Sequence, residues 1–175
     1  MRLRWLTASR TVDSTTRGQL LDCWREVSNA GGAVGFPFLP VDDEHVRPAL
    51  ETMLASLDAG LDRLLVATVD GALAGWLLLS CNASPLTDHW AKVLRVQTAP
   101  AHRGTGVGRS LMTEVARSAR EELVLDQLHL ELRGGLGLER FYADCGWQEI
   151  GRWPGALHLR EDDRRDDVLM LLPLR

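Results

Sequence analysis

The sequence contains the glycine-rich segment Thr98-Ala99-Pro100-Ala101-His102-Arg103-Gly104-Thr105-Gly106-Val107-Gly108-Arg109-Ser110-Leu111, between an apolar run typical of a strand and an amphipathic run typical of a helix. Glycine lets the backbone approach a ligand closely, and a helix N-terminus carries roughly half a positive charge. The two arginines of the segment add full positive charges. The segment therefore predicts a cradle for an anion, for which a phosphate or pyrophosphate is the natural ligand.

Two well-known phosphate-binding loops fit this spacing poorly. A Walker A loop ends in Gly-Lys-Ser/Thr, whereas Gly108 is followed by Arg109. A dinucleotide-binding loop reads Gly-x-Gly-x-x-Gly, whereas Gly104 and Gly106 are followed by Arg109 where the third glycine belongs. A dinucleotide-binding oxidoreductase stays as an alternative, and a glycine-rich turn before a helix, without function, is the simplest one.

Composition indicates one compact domain over residues 1–175. With 175 residues, of which 45% are hydrophobic, the chain can bury a substantial core, and the net charge of −4 argues against nonspecific nucleic-acid binding. Cys23, Cys81 and Cys145 lie far apart and show no metal-binding spacing, so we expect reduced thiols and no metal site. No signal peptide or membrane span is recognisable, which predicts a cytoplasmic protein without a membrane partner.

Hydrophobic periodicity predicts alternating strands and helices in the first half of the chain. The segment 29–38 is apolar and glycine-rich, which suits either a buried connection or the wall of a substrate pocket. Asp70-Gly71 is a strong signal for a tight turn that joins two antiparallel strands. The predicted elements are a strand Leu3–Leu6, a helix from Ser14 to about Ser28, a helix from Asp42 or Asp43 to near Gly60, and strands Leu64–Val69 and Leu73–Cys81.

The same pattern continues to the C-terminus. Charge is concentrated between Arg160 and Asp167, which predicts a solvated turn. The predicted elements are a strand Trp90–Thr98, a helix from Gly106 to Leu123, a strand Leu125–Leu132, a helix Leu138–Cys145, a strand Trp147–Trp153, and a final strand Val168–Leu174 that could serve as the edge of a homodimer.

A second motif, Phe141-Tyr142-Ala143-Asp144-Cys145-Gly146-Trp147, follows the first in the chain. Together, Arg-x-x-Gly-x-Gly at Arg103–Gly108 and this tyrosine-bearing segment resemble the two signatures of the GNAT superfamily of acyl-CoA-dependent N-acyltransferases. The resemblance covers Leu64 to the C-terminus well and the earlier part in general pattern. The stretches Glu131–Gly135 and Arg152–Leu157 also resemble acetyltransferases of the tabtoxin-resistance type.

The resemblance implies an α/β (α+β) fold with a mixed, mostly antiparallel sheet flanked by helices. Its central strands, Trp90–Thr98 and Leu125–Leu132, would splay apart and admit acetyl-CoA as co-substrate. By the family pattern, Val96, Gln97 and Thr98 would contact the pantetheine and acyl end, with the Val96 N–H polarising the thioester carbonyl. The pyrophosphate would be bound by Arg103, Gly104, Thr105, Gly106, Val107, Gly108, Arg109 and Ser110.

Acyl transfer to an amine needs a base for the ammonium proton and an acid for the departing thiolate. The resemblance assigns the acid to Tyr142 and implies that this residue would also contact the cofactor. Glu131 is the candidate base, although it could equally be a solvated strand carboxylate, and His129 is the reserve. Members of the family often carry an asparagine where this chain has Gly135, so a side-chain contact to the pantetheine is in doubt. We expect direct attack without an acyl-enzyme.

The acceptor is less constrained by the sequence. Phe36, Trp90 and Glu131 are the candidate substrate contacts, and each also has an ordinary structural explanation. We expect a primary amine of a small or amino-acid-like molecule, with antibiotic or toxin detoxification as one form of this activity. The alternatives are a protein lysine or N-terminal acetyltransferase and a regulatory module that binds acyl-CoA without turnover.

Overall fold

The computed structural model describes residues 1–32, 35–36, 38–160 and 162–175. Within these residues the strands form one sheet of seven in the order β1-β2-β3-β4-β5-β7-β6. The strands are β1 (Arg2–Leu6), β2 (Asp62–Val69), β3 (Ala72–Cys81), β4 (Trp90–Thr98), β5 (Gln127–Arg133), β6 (Gln148–Arg160) and β7 (Asp163–Pro173), and the helices are α1 (Ser14–Asn29), α2 (Asp43–Ser56), α3 (Val107–Glu121) and α4 (Leu138–Ala143).

Strands β1 to β4 lie side by side in chain order, and each pairs antiparallel with the next. At the predicted turn between β2 and β3, Asp70 has a φ of 51° and Gly71 a φ of 83°. Positive φ at both central residues is the geometry whose twist matches that of the paired strands. The predicted hairpin is therefore confirmed.

Helices α1 and α2 cover one face of this half of the sheet. Trp24 of α1 and Trp76 of β3 are fully buried, and their rings meet edge to face with centroids 5.3 Å apart. Asp13 caps α1 through a bond from the Thr16 N–H, so the predicted cap at Ser14 is wrong by one residue. Asp42 caps α2, as one of the two predicted possibilities had it.

Helix α3 packs on the opposite face of the sheet. There the apolar side chains of α3 form a second core with the residues of β2 and β3 that point away from α1 and α2. The helix comes close to the sheet at Gly75. A Cβ at Gly75 would lie 2.6 Å from the Gln97 carbonyl oxygen and 2.9 Å from Cγ1 of Val107. Only glycine fits there without a shift of the backbone, which fixes how α3 sits above the sheet.

Strands β4 and β5 are parallel neighbours that separate after a short paired region. Their register holds only over Trp90↔Gln127, Ala91↔Leu128 and Lys92↔His129. Beyond this point β4 carries a bulge, where the register with β3 shifts and Arg95 has a φ of 53°. A bulge bends its strand and redirects its side chains. The predicted splayed, mostly antiparallel sheet is thus confirmed.

The charged segment from Arg160 to Asp167 was expected to be a solvated turn, and this expectation is wrong. The first strand of the hairpin, β6, extends to Arg160, and its partner β7 begins at Asp163. Arg152 of β6 pairs with Asp166 of β7 at 3.0 Å, so a charge that suggested solvent bridges the hairpin instead. Local composition wrongly indicated a turn, because it cannot show that two strands pair across the hairpin.

The C-terminal strand also lies in an unexpected place. β7 is hydrogen-bonded to β5 on one side and to β6 on the other. Both its edges are occupied, so the predicted role of Val168–Leu174 as a dimer edge is wrong. Among the described residues, none of the helices combines the length and apolar character needed to cross a membrane.

Candidate active site

A cavity of about 670 Å³ occupies the wedge where β4 and β5 diverge. The start of α3, the end of α1 and helix α4 complete its walls. Its volume falls in the usual range for small-molecule sites. Most of the residues expected at the site line it: Val96, Thr98, Arg103, Gly104, Gly106, Val107, Gly108, Arg109, Glu131 and Tyr142.

Three residues of the expected cofactor set lie outside the cavity lining. Gln97 is only 1% exposed and points into the core. The Thr105 hydroxyl donates to the His102 carbonyl at 2.7 Å, and the Ser110 hydroxyl donates to the Gly106 carbonyl at 3.1 Å. Their side chains therefore shape the loop and the first turn of α3, and a contact of their backbone groups with a cofactor stays a prediction.

Two of the three expected substrate contacts also lie outside it. Phe36 packs against Trp24 with ring centroids 5.5 Å apart, and Trp90 stacks on His129 at 4.6 Å. Both contacts are of the structural kind that the sequence left open. Within the segment 29–38, Gly31 and Gly32 line the cavity, whereas Ala33, Val34 and Pro37 lie outside the described residues.

The loop before α3 is shaped to receive an anion. Gly104 has a φ of 76° and Gly106 a φ of 89°, a conformation that glycine adopts without strain. Gly106 caps the helix without any side-chain hydrogen bond, which leaves the N–H groups of the first turn available. Arg103 and Arg109 border the same end of the cavity. Uncapped N–H groups, a helix dipole and two guanidinium groups together fit a diphosphate.

Gly108 brings the two sequence motifs into contact. A Cβ at this position would lie 3.2 Å from Cζ of Phe141, tighter than an ordinary contact. Arg109 adds a second tie, because its Nη1 donates to the carbonyl oxygen of Asp144 at 3.1 Å. The anion loop and helix α4 are therefore held together as one wall.

Tyr142 projects from α4 to the cavity and is only 7% exposed. Its ring makes edge contacts with Phe141 at 5.1 Å and Trp147 at 6.1 Å. Burial raises the pKa of its phenol well above the ordinary value, because the charged phenolate is poorly solvated there. The hydroxyl consequently keeps its proton at neutral pH and can act as a proton donor.

Glu131 lies on the other wall, on β5. Lys92 of β4 reaches its Oε1 with Nζ at 3.2 Å. Asp167 of β7 is a carboxylate that the sequence analysis missed, since it was placed in a turn. Burial, with a contribution from Glu131, raises the pKa of Asp167. The carboxylates of Glu131 and Asp167 and the ammonium group of Lys92 thus lie near one another, where β4 and β5 begin to diverge.

Two arginines that line the cavity were also missed as site residues. The Arg95 guanidinium lies 4.6 Å above the ring of Trp24, and burial lowers its pKa. Arg133 follows Glu131 by two residues on β5, and burial lowers its pKa as well. The available signal was an arginine in or directly after each of the two central strands, but periodicity alone could not assign either arginine to a cavity.

Comparison with known proteins identifies the fold and the family. The family model for the acetyltransferase (GNAT) domain matches residues 60–149. A ribosomal-protein-alanine N-acetyltransferase from Brucella melitensis superimposes with a TM-score of 0.75 at 20% identity, covering 99% of both chains. For a putative phosphinothricin N-acetyltransferase the TM-score is 0.74 at 21% identity, again over 99% of both chains.

A third structure is that of yncA, a putative acetyltransferase from Salmonella typhimurium, with its cofactor acetyl-CoA. Its TM-score is 0.74 at 16% identity, over 100% of this chain and 95% of the other. The matched family segment spans the hairpin, the splayed strands, the anion loop and Tyr142. The chain therefore belongs to the GNAT acetyltransferases and is an acetyl-CoA-dependent N-acetyltransferase.

Proposed function

We propose that this enzyme acetylates the primary amine of a small, amino-acid-like molecule. The observation that carries the proposal is that the anion loop, Tyr142 and Glu131 line one continuous cavity of about 670 Å³. The end of α1 and the leucines Leu136 and Leu138 add apolar groups to the lining of this cavity. A concave, half-open space with apolar walls and a few polar groups suits a small acceptor.

Each wall of the cavity has its own task in this proposal. The loop at Arg103–Arg109 binds the diphosphate of acetyl-CoA through backbone N–H groups and the two arginines. The bulge in β4 frees the Val96 backbone from regular pairing, so its N–H can donate to the acetyl carbonyl. Thr98 lines the cavity between the bulge and the loop, where the pantetheine arm is expected.

Acetyl-CoA supplies the acetyl group as a reactive thioester. Amide formation then removes two protons from the acceptor ammonium and adds one to the departing sulfur, so one proton is released overall. Glu131 accepts the first proton of the nitrogen, directly or through water, and its charge also attracts the ammonium. Tyr142, which its raised pKa keeps protonated, donates to the sulfur, and the second proton of the nitrogen restores the phenol. The C–N bond forms as the C–S bond breaks, and no cysteine of the chain carries the acetyl group.

The named neighbours include acceptors of two kinds. Phosphinothricin is a small molecule, which supports the proposal, whereas a ribosomal protein would be a large acceptor. Because both neighbours share about a fifth of their residues with this chain, the acceptor must be decided by experiment. Protein acetylation and regulatory binding without turnover are the competing results.

The cofactor site is tested by calorimetric titration of acetyl-CoA into the wild type and an Arg103→Ala, Arg109→Ala variant. We expect micromolar-range binding that weakens at least tenfold in the variant, since each charged contact contributes about 1.5–3 kcal/mol. The matched control is Arg2→Ala, Arg4→Ala, which removes two exposed arginines from β1. Equal affinity in all three proteins would refute the assignment of the anion loop.

The acceptor class is tested by following thiol release with a panel of amines. The panel contains free amino acids, aminoglycosides, peptides with N-terminal alanine and lysine-containing peptides. We expect turnover of small amines. Turnover restricted to peptides would favour protein acetylation, and binding of acetyl-CoA without turnover of any amine would favour a regulatory module.

A further inference from the structure

We propose that Arg95 binds a carboxylate of the acceptor, which makes the acceptor an amine that also carries a free acid group. This inference rests on the proposed function and narrows its substrate class. It starts from the bulge in β4, where Arg95 has a φ of 53°. Arg95 comes directly before Val96, the proposed donor to the acetyl carbonyl, and both residues line the cavity.

The guanidinium of Arg95 is held in a fixed position. Its central carbon lies 4.6 Å above the ring of Trp24, which is fully buried. On another side the Gly35 backbone is so close that a Cβ there would lie 2.8 Å from Nη1. The ring of Trp24 and the backbone of Gly35 thus restrict where the guanidinium can lie.

Within the part of the chain that the structure describes, no carboxylate pairs with this guanidinium. Other partly exposed arginines of the described chain do have partners. Arg17 binds Glu51 at 2.9 Å, and Arg25 binds both Asp22 and Asp43. A half-buried cation without a counter-ion costs free energy, which a bound anion would offset. Arg95 lines the cavity, through which such an anion can reach it.

A second guanidinium lines the same cavity. Nε of Arg133 is buried, and no described residue accepts a hydrogen bond from it. Arg133 lies on β5 two residues beyond Glu131, so both side chains project from the same face of the strand. The walls therefore offer one carboxylate for an ammonium group and two guanidinium groups for an acid.

This set of charges distinguishes between classes of acceptor. A free amino acid carries an ammonium and a carboxylate, so it can satisfy both Glu131 and Arg95. A lysine side chain or a peptide N-terminus has no carboxylate beside its amine, and an aminoglycoside carries only cations. Bidentate pairing of a guanidinium with a carboxylate is a strong and directional interaction.

The test compares each standard L-amino acid with its own α-carboxamide in the thiol-release assay. The two members of a pair have the same amine and side chain and differ in the acid group. For the wild type we expect kcat/KM to be about 10- to 100-fold higher for the acid, the range expected for a hydrogen-bonded charge pair. In Arg95→Gln this advantage should disappear through a higher KM for the acid, with the amide unaffected.

Arg95→Lys provides a second variant, which keeps the charge and loses the paired donors, and it should recover part of the advantage. Arg165→Gln is the control, since Arg165 pairs with Asp163 and does not line this cavity. Circular dichroism reports whether each variant is folded, and calorimetry measures its acetyl-CoA affinity. A loss of that affinity in a folded Arg95→Gln protein would make Arg95 a cofactor ligand and overturn the inference.

The inference and the proposed function can fail separately. Equal turnover of acids and amides by the wild type would refute the role of Arg95 and leave small-amine acetylation in place. A preference for acids that persists in Arg95→Gln would have the same consequence: it would refute the role of Arg95 and leave small-amine acetylation in place. Failure of the wild type to turn over any small amine would instead count against the proposed function.

Discussion

Nζ of Lys92 lies 3.2 Å from Oε1 of Glu131 and bridges β4 and β5 where their pairing ends. If Glu131 is the base, Glu131→Gln should lower kcat/KM by about 10²–10⁴, since a positioned proton acceptor contributes that much. Lys92→Gln should leave kcat within a few-fold, because a pair with 44% and 42% exposed side chains is weak. Steady-state kinetics measure both.

The two variants are matched, since each removes one member of the same ion pair. A loss of activity as large in Lys92→Gln as in Glu131→Gln would show that the pair positions the strands and that Glu131 has no separate chemical role.

Tyr142→Phe tests the proposed proton donor. We expect kcat to fall by about 10²–10⁴, while calorimetry finds unchanged acetyl-CoA affinity, because the ring contacts to Phe141 and Trp147 remain. Burial raises the pKa of the phenol above its ordinary value of 10.0. The proton is therefore retained as the pH rises through 10, and a decline in rate caused by Tyr142 ionisation should begin only above that pH. A variant with the wild-type rate at every pH would exclude this role.

The sequence predicted the centre of this molecule better than its ends. Asp70-Gly71 and the glycines of the anion loop act through local backbone geometry, which sequence spacing records directly. The bounds of β4 were predicted without error for the same reason. Parts of β6 and β7 were predicted as Trp147–Trp153 and Val168–Leu174, but their continuation through the charged segment was missed, because composition cannot reveal a cross-strand partner such as that of Asp166.

The residues of the candidate site show the same difference between local motifs and long-range packing. The anion loop and Tyr142 belong to contiguous motifs, and the structure brings them to one cavity. Arg95 and Asp167 owe their surroundings to a bulge and to a β7 strand placed between β5 and β6. Phe36 and Trp90 have the right chemistry for a pocket, but their rings are engaged by Trp24 and His129. Tertiary packing decided these four positions.

Gly75→Ala should destabilise the fold by about 1–3 kcal/mol, because the new Cβ would press on the Gln97 carbonyl and on Val107 and force α3 away from the sheet. Urea unfolding at equilibrium measures the loss. Gly18→Ala is the control, since this exposed glycine of α1 has nothing within 4 Å of its added Cβ. That variant should gain roughly 0.5–1 kcal/mol from helix propensity. Equal stability of the two variants would refute the close approach of α3.

Glu114 ties the N-terminal strand to α3 and gives stability a defined dependence on pH. Its carboxylate accepts from Nε1 of Trp5 at 3.1 Å and pairs with Arg117 at 2.8 Å. Arg117 is the main cause that lowers the pKa of Glu114 below its ordinary value of 4.5. A carboxylate with a lowered pKa stabilises the fold above the unfolded-state pKa and loses this contribution as the pH falls through the folded-state value.

At pH 7 we therefore expect Glu114→Gln to be less stable than the wild type by about 1 kcal/mol, in line with one charged hydrogen bond and a partly exposed ion pair. The difference should shrink as the pH falls below 4.5 and vanish once Glu114 is protonated in the folded protein, which urea unfolding at a series of pH values measures. Glu121→Gln is the control, because Glu121 pairs with the same Arg117 but its side chain is 57% exposed. It should change stability by a few tenths of a kcal/mol at most. A Glu114→Gln deficit that is constant from pH 7 to pH 3 would mean that the glutamate acts through packing, since only a charge-dependent interaction is lost on protonation.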